Sequence, residues 1–485
     1  MAINPDSIPF LQIGQTWPPE DHIARLQRYE QNRNLFVGEH HRVYDKWPRL
    51  LRDDYRATLE IAVNFPGAVS KLFADLLFGE MPAFIAAGDD DEWQAWVDEF
   101  VATNKIHQLN YKAALAQSYR GDAIFKLRLI EGRERAVVEV IPASIWFPVV
   151  NPDNVSEIEA HVLAWTKEVE RGTRKDKYLR AEIHAPGLIS HRLYALDNDK
   201  IDRRVALDEL YENPPPDDEQ TGVDRPLLIH VPNLELDDTV FGQDDYFEAD
   251  TLFQELDVRL AQIAKVLDKH SDPNMYGPPL MEEDPETGEL AVKAGGRYFP
   301  VQHGDVMPAY LVWDAQMEAN FRYLDRILQS LYIVTDTNAA AFSLAESGSF
   351  PSGAALKRLL MRPLARTNRK RLYFDAALKE LFSIAAELER ANKRNAPEGL
   401  IVEIEWKDGL PDDPMEQAQI EQIRTGGKAT SSVRSAIRRL DGGTNESIDN
   451  ELSLIAEDEA MEAAPGVSLA SAPFAFGEIG EMGEE

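Results

Sequence analysis

The chain has 485 residues, enough for several domains and a substantial core, with 44% hydrophobic and 28% charged residues, as in an ordinary water-soluble protein. It has no cysteine, which excludes disulfides, thiol nucleophiles and thiolate-bound metals. Its formal net charge of -33 argues against a broad DNA-coating surface, because phosphate binding takes clustered Lys and Arg; the acidity serves solubility, or keeps a surface from adhering to a polyanion.

The N-terminus lacks the charged and apolar regions of a signal peptide, and no apolar run reaches the roughly 20 residues of a membrane helix. A cytosolic protein, or one belonging to an assembly made there, is expected, with no membrane partner. "PPEDHIARLQRYEQNRNLFVG" reads as a helix that opens at Pro-Pro and ends near Gly38, with acids early and bases late to suit the helix dipole. Residues 64–84 show helical spacing that stops at Gly79, with Pro82 beyond, and two more helical patterns follow the acidic turn "GDDDEW". After Gly121 the period changes to strands: "AIFKLRLIEGRERAVVEVIPASIWFPVV", "IEAHVLAWTKEVE", "YLRAEIHAPGLISHRLYAL" and "PLLIHVPN", the last two separated by "YENPPPDDEQTGVD", a surface loop by composition.

Residues 244–272 predict a long amphipathic helix with Phe247, Leu252, Leu256, Leu260, Ile263 and Leu267 on its apolar face and Asp244 or Asp245 as cap. An insert of about forty residues, rich in Pro, Gly and acids, contains two short strand-like runs, "ETGELAV" and "GGRYFPV". A second helix returns over residues 317–336. Two helices bracketing a small β insert predict an antiparallel pair with a projecting tip. The small-residue stretch "TNAAAFSLAESGSFPSGAALKRL" comes next, and then a helical pattern over residues 353–395 with eleven Lys and Arg against four Asp and Glu. Pro363 inside it predicts a kink or break. "GLIVEIEWKDGLPDD" is one strand ending in a turn, and three helices follow, separated by "TGG" and "DGGTN". From Asp441 onward there are twelve acidic residues and no basic ones, and the tail from Pro465 has the composition of a disordered or docking peptide.

No motif for chemistry holds up. "RTGGKAT" lacks the spacing of a phosphate-binding loop, and its "TGG" reads as a helix-ending turn. "SGSFPSG" fails G-x-S-x-G in every register and no strand leads into it, so its serines are turn and cap groups, with Ser352 a candidate cap. His40 and His41 diverge on a helix and cannot share one metal; a solvated or locally hydrogen-bonded pair is expected. The acids of "GDDDEW" suit a helix N-terminus better than a Ca or Mg loop. No catalytic residue, metal or cofactor is assigned.

Taken in order, the parts resemble the portal proteins of tailed bacteriophages. The resemblance is carried by Tyr29, Asn32, Leu35, Gly38, His40 and Tyr44; by Asn64, Lys71, Gly79 and Pro82; and by "GDAIFKLRL", "VIPASIWFPVVN", "HVPN" with "FGQDDYFEADTLFQELD", "SGAALKRLL" and "WKDGLPDDPMEQAQ" with Thr430 and Ser431. It implies an α+β fold, mainly α, with wing, stem, clip and crown regions around a central channel. Residues 1–240, with the strand at 400–407, would be the wing; 241–272 and 317–337 the stem helices; 273–316 the clip; 338–352 the tunnel loop; 353–396 a long kinked wing or crown helix; 415–464 the crown; and 465–485 an acidic tail.

The resemblance further implies a homo-oligomeric ring, usually of twelve subunits, at one capsid vertex of the virion, assembled in the host bacterial cytoplasm. It would pass double-stranded DNA in packaging and ejection and dock the terminase large subunit, head–tail adaptors, and the major capsid and scaffold proteins. Asn338, Phe342, Ser343, Glu346, Ser349, Phe350 and Ser352 would form the tunnel loop, with the two phenylalanines packing loop to loop around the ring. Lys357, Arg358 and Arg362 would meet DNA or a neighbouring subunit. Tyr276, Glu282, Glu289, Lys293 and Arg297 would form the clip's partner surface. The alternatives are another head-completion or capsid structural protein, or a metal-dependent nuclease using acids near Asp89 and Glu282.

Overall fold

The computed structural model describes residues 4–44, 62–88, 91–171, 174–271, 317–342, 357–407, 409, 414–440 and 445–463, and only the strand residues within 275–310. These fall into two compact units, Met1–Leu410 and Pro411–Glu485.

In the first unit, α1 (Glu20–Phe36) starts directly after Pro18–Pro19, with Glu20 and Asp21 in its first turn and Arg33 in its last, each suiting the dipole. After the short α2 (His40–Tyr44), α3 (Phe65–Phe78) is capped by Asn64, whose Oδ1 accepts from Gly67 N at 2.9 Å. α4 (Asp91–Asn104) carries Asp91 and Glu92 in its first turn, and α5 (Ile106–Arg120) ends at Gly121. Gly121 has φ +86°, and a Cβ there would lie 2.0 Å from the carbonyl oxygen of Gly242. Two constraints therefore demand glycine: a left-handed turn, and the close passage of the segment that leads into the next long helix.

The strands follow the sequence's change of period. β1 (Ala83–Ala86) pairs with β16 (Val402–Glu405), and β2 (Asp122–Arg128) lies between β3 (Val137–Ile141) and β10 (Leu228–Pro232). β4 (Trp146–Asn151), β5 (Asn154–Arg171), β6 (Arg174–Ala185), β7 (Leu188–Asp197) and β8 (Lys200–Val205) form a sequential antiparallel meander, to which β9 (Asp218–Gln220) adds alongside β7. Alternation along β6 sends Leu179, Ala181 and Ile183 into a core with Ile8, Leu11, Trp17 and Phe147. β1, which precedes the change of period at Gly121, and β8 are strands the sequence pattern did not predict, and β9 lies inside the predicted surface loop. The polar composition of that loop misleads because β9 is held by backbone pairing and by Asp218, which accepts from Ser190 Oγ at 2.6 Å and Arg192 Nη1 at 3.0 Å.

The long helix α6 runs over Asp250–Ser271 and α7 over Met317–Val334. Between them lie β11 (Met275–Gly277), β12 (Glu282–Glu283), β13 (Leu290–Ala291), β14 (Tyr298–Pro300) and β15 (Ala309–Tyr310), so both strand-like runs of the insert contain a strand. α6 begins later than expected. Neither Asp244 nor Asp245 caps it: Asp244 instead accepts from Tyr246 N at 2.9 Å in a preceding turn. Phe247 lies in that turn, out of helical phase and exposed, and Leu267 is exposed too, whereas Leu256 and Ile263 are buried.

α8 (Met361–Ala391) shows the predicted break, but it falls at Leu360 and not at proline. Pro363 sits in the first turn of α8, where its missing N–H costs nothing, and its ring is incompatible with a helix continuing through residue 359. The second half of α8 buries a broad face: Phe374, Leu378, Leu381, Phe382 and Ala385 are fully enclosed by α3–α5 and the β10–β2–β3 sheet, while Leu372, Ala376, Lys379 and Glu380 stay exposed.

In the second unit, α9 (Pro414–Thr425), α10 (Val433–Leu440) and α11 (Asn445–Ala463) are the three expected helices. The "TGG" turn ends α9, with Gly427 at φ +62° and Gly426 N donating to Gln422 O at 2.9 Å. Ser432 caps α10 by accepting from Ser435 N at 3.1 Å. The acidic tail from Pro465 lies outside the described residues.

Candidate functional site: the helical hairpin and its base

α6 and α7 run antiparallel. Near one end Phe253 and Tyr332 both pack on Phe65; further along, Tyr323 meets Glu255 through its hydroxyl at 3.1 Å and Arg259 through its ring. The seam is made by Leu256 and Ile263 of α6 with Leu324, Ile327 and Leu331 of α7, and it continues into Val69 and Phe73 of α3. Spacings of three and four put these residues on one face of each helix, so burial of that face holds the hairpin onto the body.

The base of the hairpin is held by charge. Asp245, just ahead of α6, is fully buried. It accepts from Lys370 Nζ at 2.9 Å, Arg366 Nη2 at 2.7 Å, Ser118 Oγ at 2.6 Å and Asn233 Nδ2 at 2.7 Å. Burial alone would raise its carboxyl, but Lys370, Arg366 and these hydrogen bonds outweigh it and hold Asp245 well below the usual carboxylate range. Asp336, just after α7, takes Arg362 at 2.9 Å, Arg369 at 2.8 Å and Arg366 at 3.6 Å. Arg366 therefore bridges the two carboxylates that flank the hairpin. On the far side, Arg28 of α1 binds Asp244 with two nitrogens, at 2.9 and 3.0 Å, and also contacts Asp250.

These contacts give the basic helix a use other than meeting DNA or a neighbouring subunit. Arg362, Arg366, Arg369 and Lys370 recur at helical spacing on one face of α8 and neutralise carboxylates of their own chain. That spacing was visible in the sequence. Asp245 and Asp336 as its partners were not, since more than 120 residues separate Asp245 from Lys370.

The segment after α7 starts with a fixed root. Asn338 Oδ1 accepts from Ala341 N at 2.9 Å, and its Nδ2 donates to Leu359 O at the other end of the loop. One side chain thus ties together the two ends of the stretch joining α7 to α8. Phe342 packs at 5.3 Å from Phe65 and 6.1 Å from Tyr332 of its own chain, so its ring is spent on anchoring the root. Ser343, Glu346, Ser349, Phe350 and Ser352 lie outside the described residues. Lys357 and Arg358 are exposed in the helical turn before Leu360, and Arg362 is at the base as described. Tyr276 lies on β11 and Glu282 on β12, while Glu289, Lys293 and Arg297 lie outside the described residues, as does Asp89.

His40 is buried and bonded to Asp257 of α6 at 2.5 Å as well as to Leu35 O, while His41 is exposed; His40 therefore joins α2 to the hairpin, a longer reach than the local pairing expected of it. Among the described residues no group of three or more His, Asp or Glu side chains is placed to hold a metal ion, and no helix is long and apolar enough to cross a membrane.

The sequence matches the family "Phage portal protein, SPP1 Gp6-like" over residues 17–464. Similar solved chains come from the neck of a native GTA particle computed with C12 symmetry (11% identity, 81% of this chain and 93% of that chain, TM-score 0.40) and the neck of an empty GTA particle computed with C6 symmetry (12%, 78% and 90%, 0.43). Another comes from the virion of a native gene transfer agent (GTA) particle (12%, 90% and 97%, 0.41). No curated protein matches the sequence. Because the family match takes in the hairpin, its charged base and nearly all of both units, the chain belongs to the SPP1 Gp6-like family of phage portal proteins.

Proposed function

We propose that the chain is the subunit of a portal ring, of twelve copies, set at one capsid vertex, where it passes double-stranded DNA during packaging and ejection and has no catalytic activity of its own. The observation that carries this reading is the family match over residues 17–464. On it, α6 and α7 are the stem, residues 273–316 the clip that meets the terminase large subunit and then head–tail adaptors, residues 1–240 with the 400–407 strand the wing, and 415–464 the crown. Major capsid and scaffold proteins meet the ring from outside.

The chemistry suits a conduit. A genome must slide and not adhere, and each phosphate contact adds a salt-dependent affinity. A chain of net charge -33 whose main basic face is neutralised internally by Asp245 and Asp336 leaves little to hold DNA. Ala, Ser and Gly between Asn338 and Leu359 fit a loop beside a moving duplex. Particle symmetry of the purified protein tests the reading: twelvefold rings are expected, and monomers or another closed form in electron micrographs would count against it. Shortening residues 343–351 should impair packaging and leave ring assembly intact; failure of rings to form would make that loop an assembly element instead.

A further inference from the structure

The base of the hairpin presents a different surface on each flank. Asp244 and Asp245 are neighbours in the chain, yet their carboxylates turn to different helices: Asp244 to Arg28 of α1, Asp245 to Arg366 and Lys370 of α8.

On the α1 flank lies a groove of about 250 Å³ whose lining includes Arg28, Leu236, Phe241 and Phe247. Phe241 is held by Trp146 and His22, and the Arg28 guanidinium sits 5.7 Å from the centre of the Phe247 ring. Phe247, Leu234 and Leu236 are exposed, a cluster and not scattered single residues. Glu235, Asp237 and Asp238 stand exposed beside Leu236, while Arg28 is committed to Asp244 and Asp250. This flank is apolar and acidic.

On the α8 flank Ile333, Leu359 and Met361 are exposed, Met361 by 67%. Hydrogen bonds bring them together: Arg362 Nη2 donates to Ile333 O at 3.3 Å, and Asn338 donates to Leu359 O. Lys357 and Arg358 are exposed in the turn just before. Arg362 and Arg369 bind Asp336 with 52% and 55% of their side-chain surface still exposed. A guanidinium has five N–H donors, so each can hold Asp336 and also reach outward. This flank is apolar and basic.

Like flanks repel. Two α8 flanks set arginine against arginine, and two α1 flanks set acid against acid. Unlike flanks match in both apolar content and sign, and such a head-to-tail contact repeats from copy to copy until it closes on itself. DNA suits the α8 flank less well, because phosphates offer nothing to the three aliphatic side chains among its bases.

We propose that these flanks are the contact between neighbouring copies of the chain: Met361, with Leu359 and Ile333 beside it, enters the Leu236–Phe241–Phe247 groove of the next copy, and Arg358 and Arg362 meet Glu235, Asp237 and Asp238 at its edge. The contact presupposes the ring proposed above and adds which faces meet. Methionine suits the task, being unbranched and able to fill an irregular groove. The charges at the edge set the direction of association and weaken with salt, while the apolar centre does not.

The lack of native cysteine allows a direct test. Met361→Cys and Leu236→Cys are introduced together and singly into the full-length chain, and the assembled protein is treated with a short bis-maleimide. On a denaturing gel the double variant should give a covalent ladder beyond the dimer, and each single variant should stay monomeric. A double variant that assembles without cross-linking, or dimers from a single variant, overturns the contact. Met361→Asp and Leu236→Asp should each raise the concentration needed for assembly about tenfold or more, as for the loss of one central apolar contact. Mixed in equal amounts, these two should give one-to-one dimers and no rings, since each pair keeps one sound contact. Assembly of either variant as readily as the parent overturns the proposal, and if Met361→Asp then weakens binding to duplex DNA, the flank serves DNA instead. Failure of the ring reading looks different: open chains of the double variant joined through positions 236 and 361 refute the ring and keep the contact, whereas rings without that cross-link refute the contact alone.

Discussion

Replacing Asp245 by Asn tests how the base of the hairpin is held. In the native chain Lys370 is 2% exposed and its ammonium has Asp245 and the Asn233 side chain as partners, with Arg366, a like charge, close by. Asp245→Asn keeps the shape but leaves that ammonium buried without a counter-charge, which costs about 3–5 kcal/mol. Lys370→Met removes the other partner. Asp245 then still has Arg366 at 2.7 Å, Ser118 at 2.6 Å and Asn233 at 2.7 Å, so the loss is about 1.5–3 kcal/mol, the worth of one charged hydrogen bond. The double variant should cost less than the two single losses added together, because neither charge is left stranded. Urea unfolding followed by tryptophan fluorescence at one protein concentration is the assay. All eight tryptophans lie at or before Trp406, so the signal reports the first unit alone. Because the folded-state carboxyl of Asp245 lies below its unfolded value of 3.8, its contribution is fully present above that pH and fades only below it. An Asp245→Asn loss no larger than that of Lys370→Met, or strict additivity, would refute the reasoning.

Two further predictions concern backbone geometry. Gly121→Ala should destabilise by more than about 2 kcal/mol, since it adds a left-handed penalty to a Cβ placed 2.0 Å from Gly242 O. Gly132→Ala, at φ +77° with open space around it, should cost only about 1–2 kcal/mol; equal losses by thermal unfolding would show that the Gly242 contact is unimportant. Asn338→Ala removes a cap worth about 1 kcal/mol, so amide exchange at Ala341 should quicken about fivefold, and an unchanged rate would mean that the loop root is held by Phe342 alone.

Local pattern explains most of what the sequence revealed. Apolar residues at helical spacing marked α3 and α6; Pro-Pro, Gly38 and the placing of acids and bases marked α1; the shift of period after Gly121 marked most of the strands; Gly and Pro marked where elements stop. These signals work because each element must present one apolar face whatever it later packs against. The misses have a different cause. β9 has no apolar face and exists through its pairing with β7. The start of α6 moved to Asp250 because Asp244 and Asp245, attractive as caps, are drawn to Arg28, Lys370 and Arg366.

By itself, then, the sequence determined the order of the long helices and of most of the strands, the acidic balance, the absence of thiol chemistry and the succession of motifs that marks the portal family. Tertiary structure alone decided what the basic helix does and that His161 is an acceptor. Arg362, Arg366 and Arg369 are indistinguishable from DNA-binding side chains until Asp245 and Asp336 are brought beside them. His161 is an ordinary histidine until the Trp146 N–H points at its ring. Both outcomes depend on partners distant in the chain or on the facing of strands, and on the loss of water around them, which turns weak surface charges into specific, directional contacts.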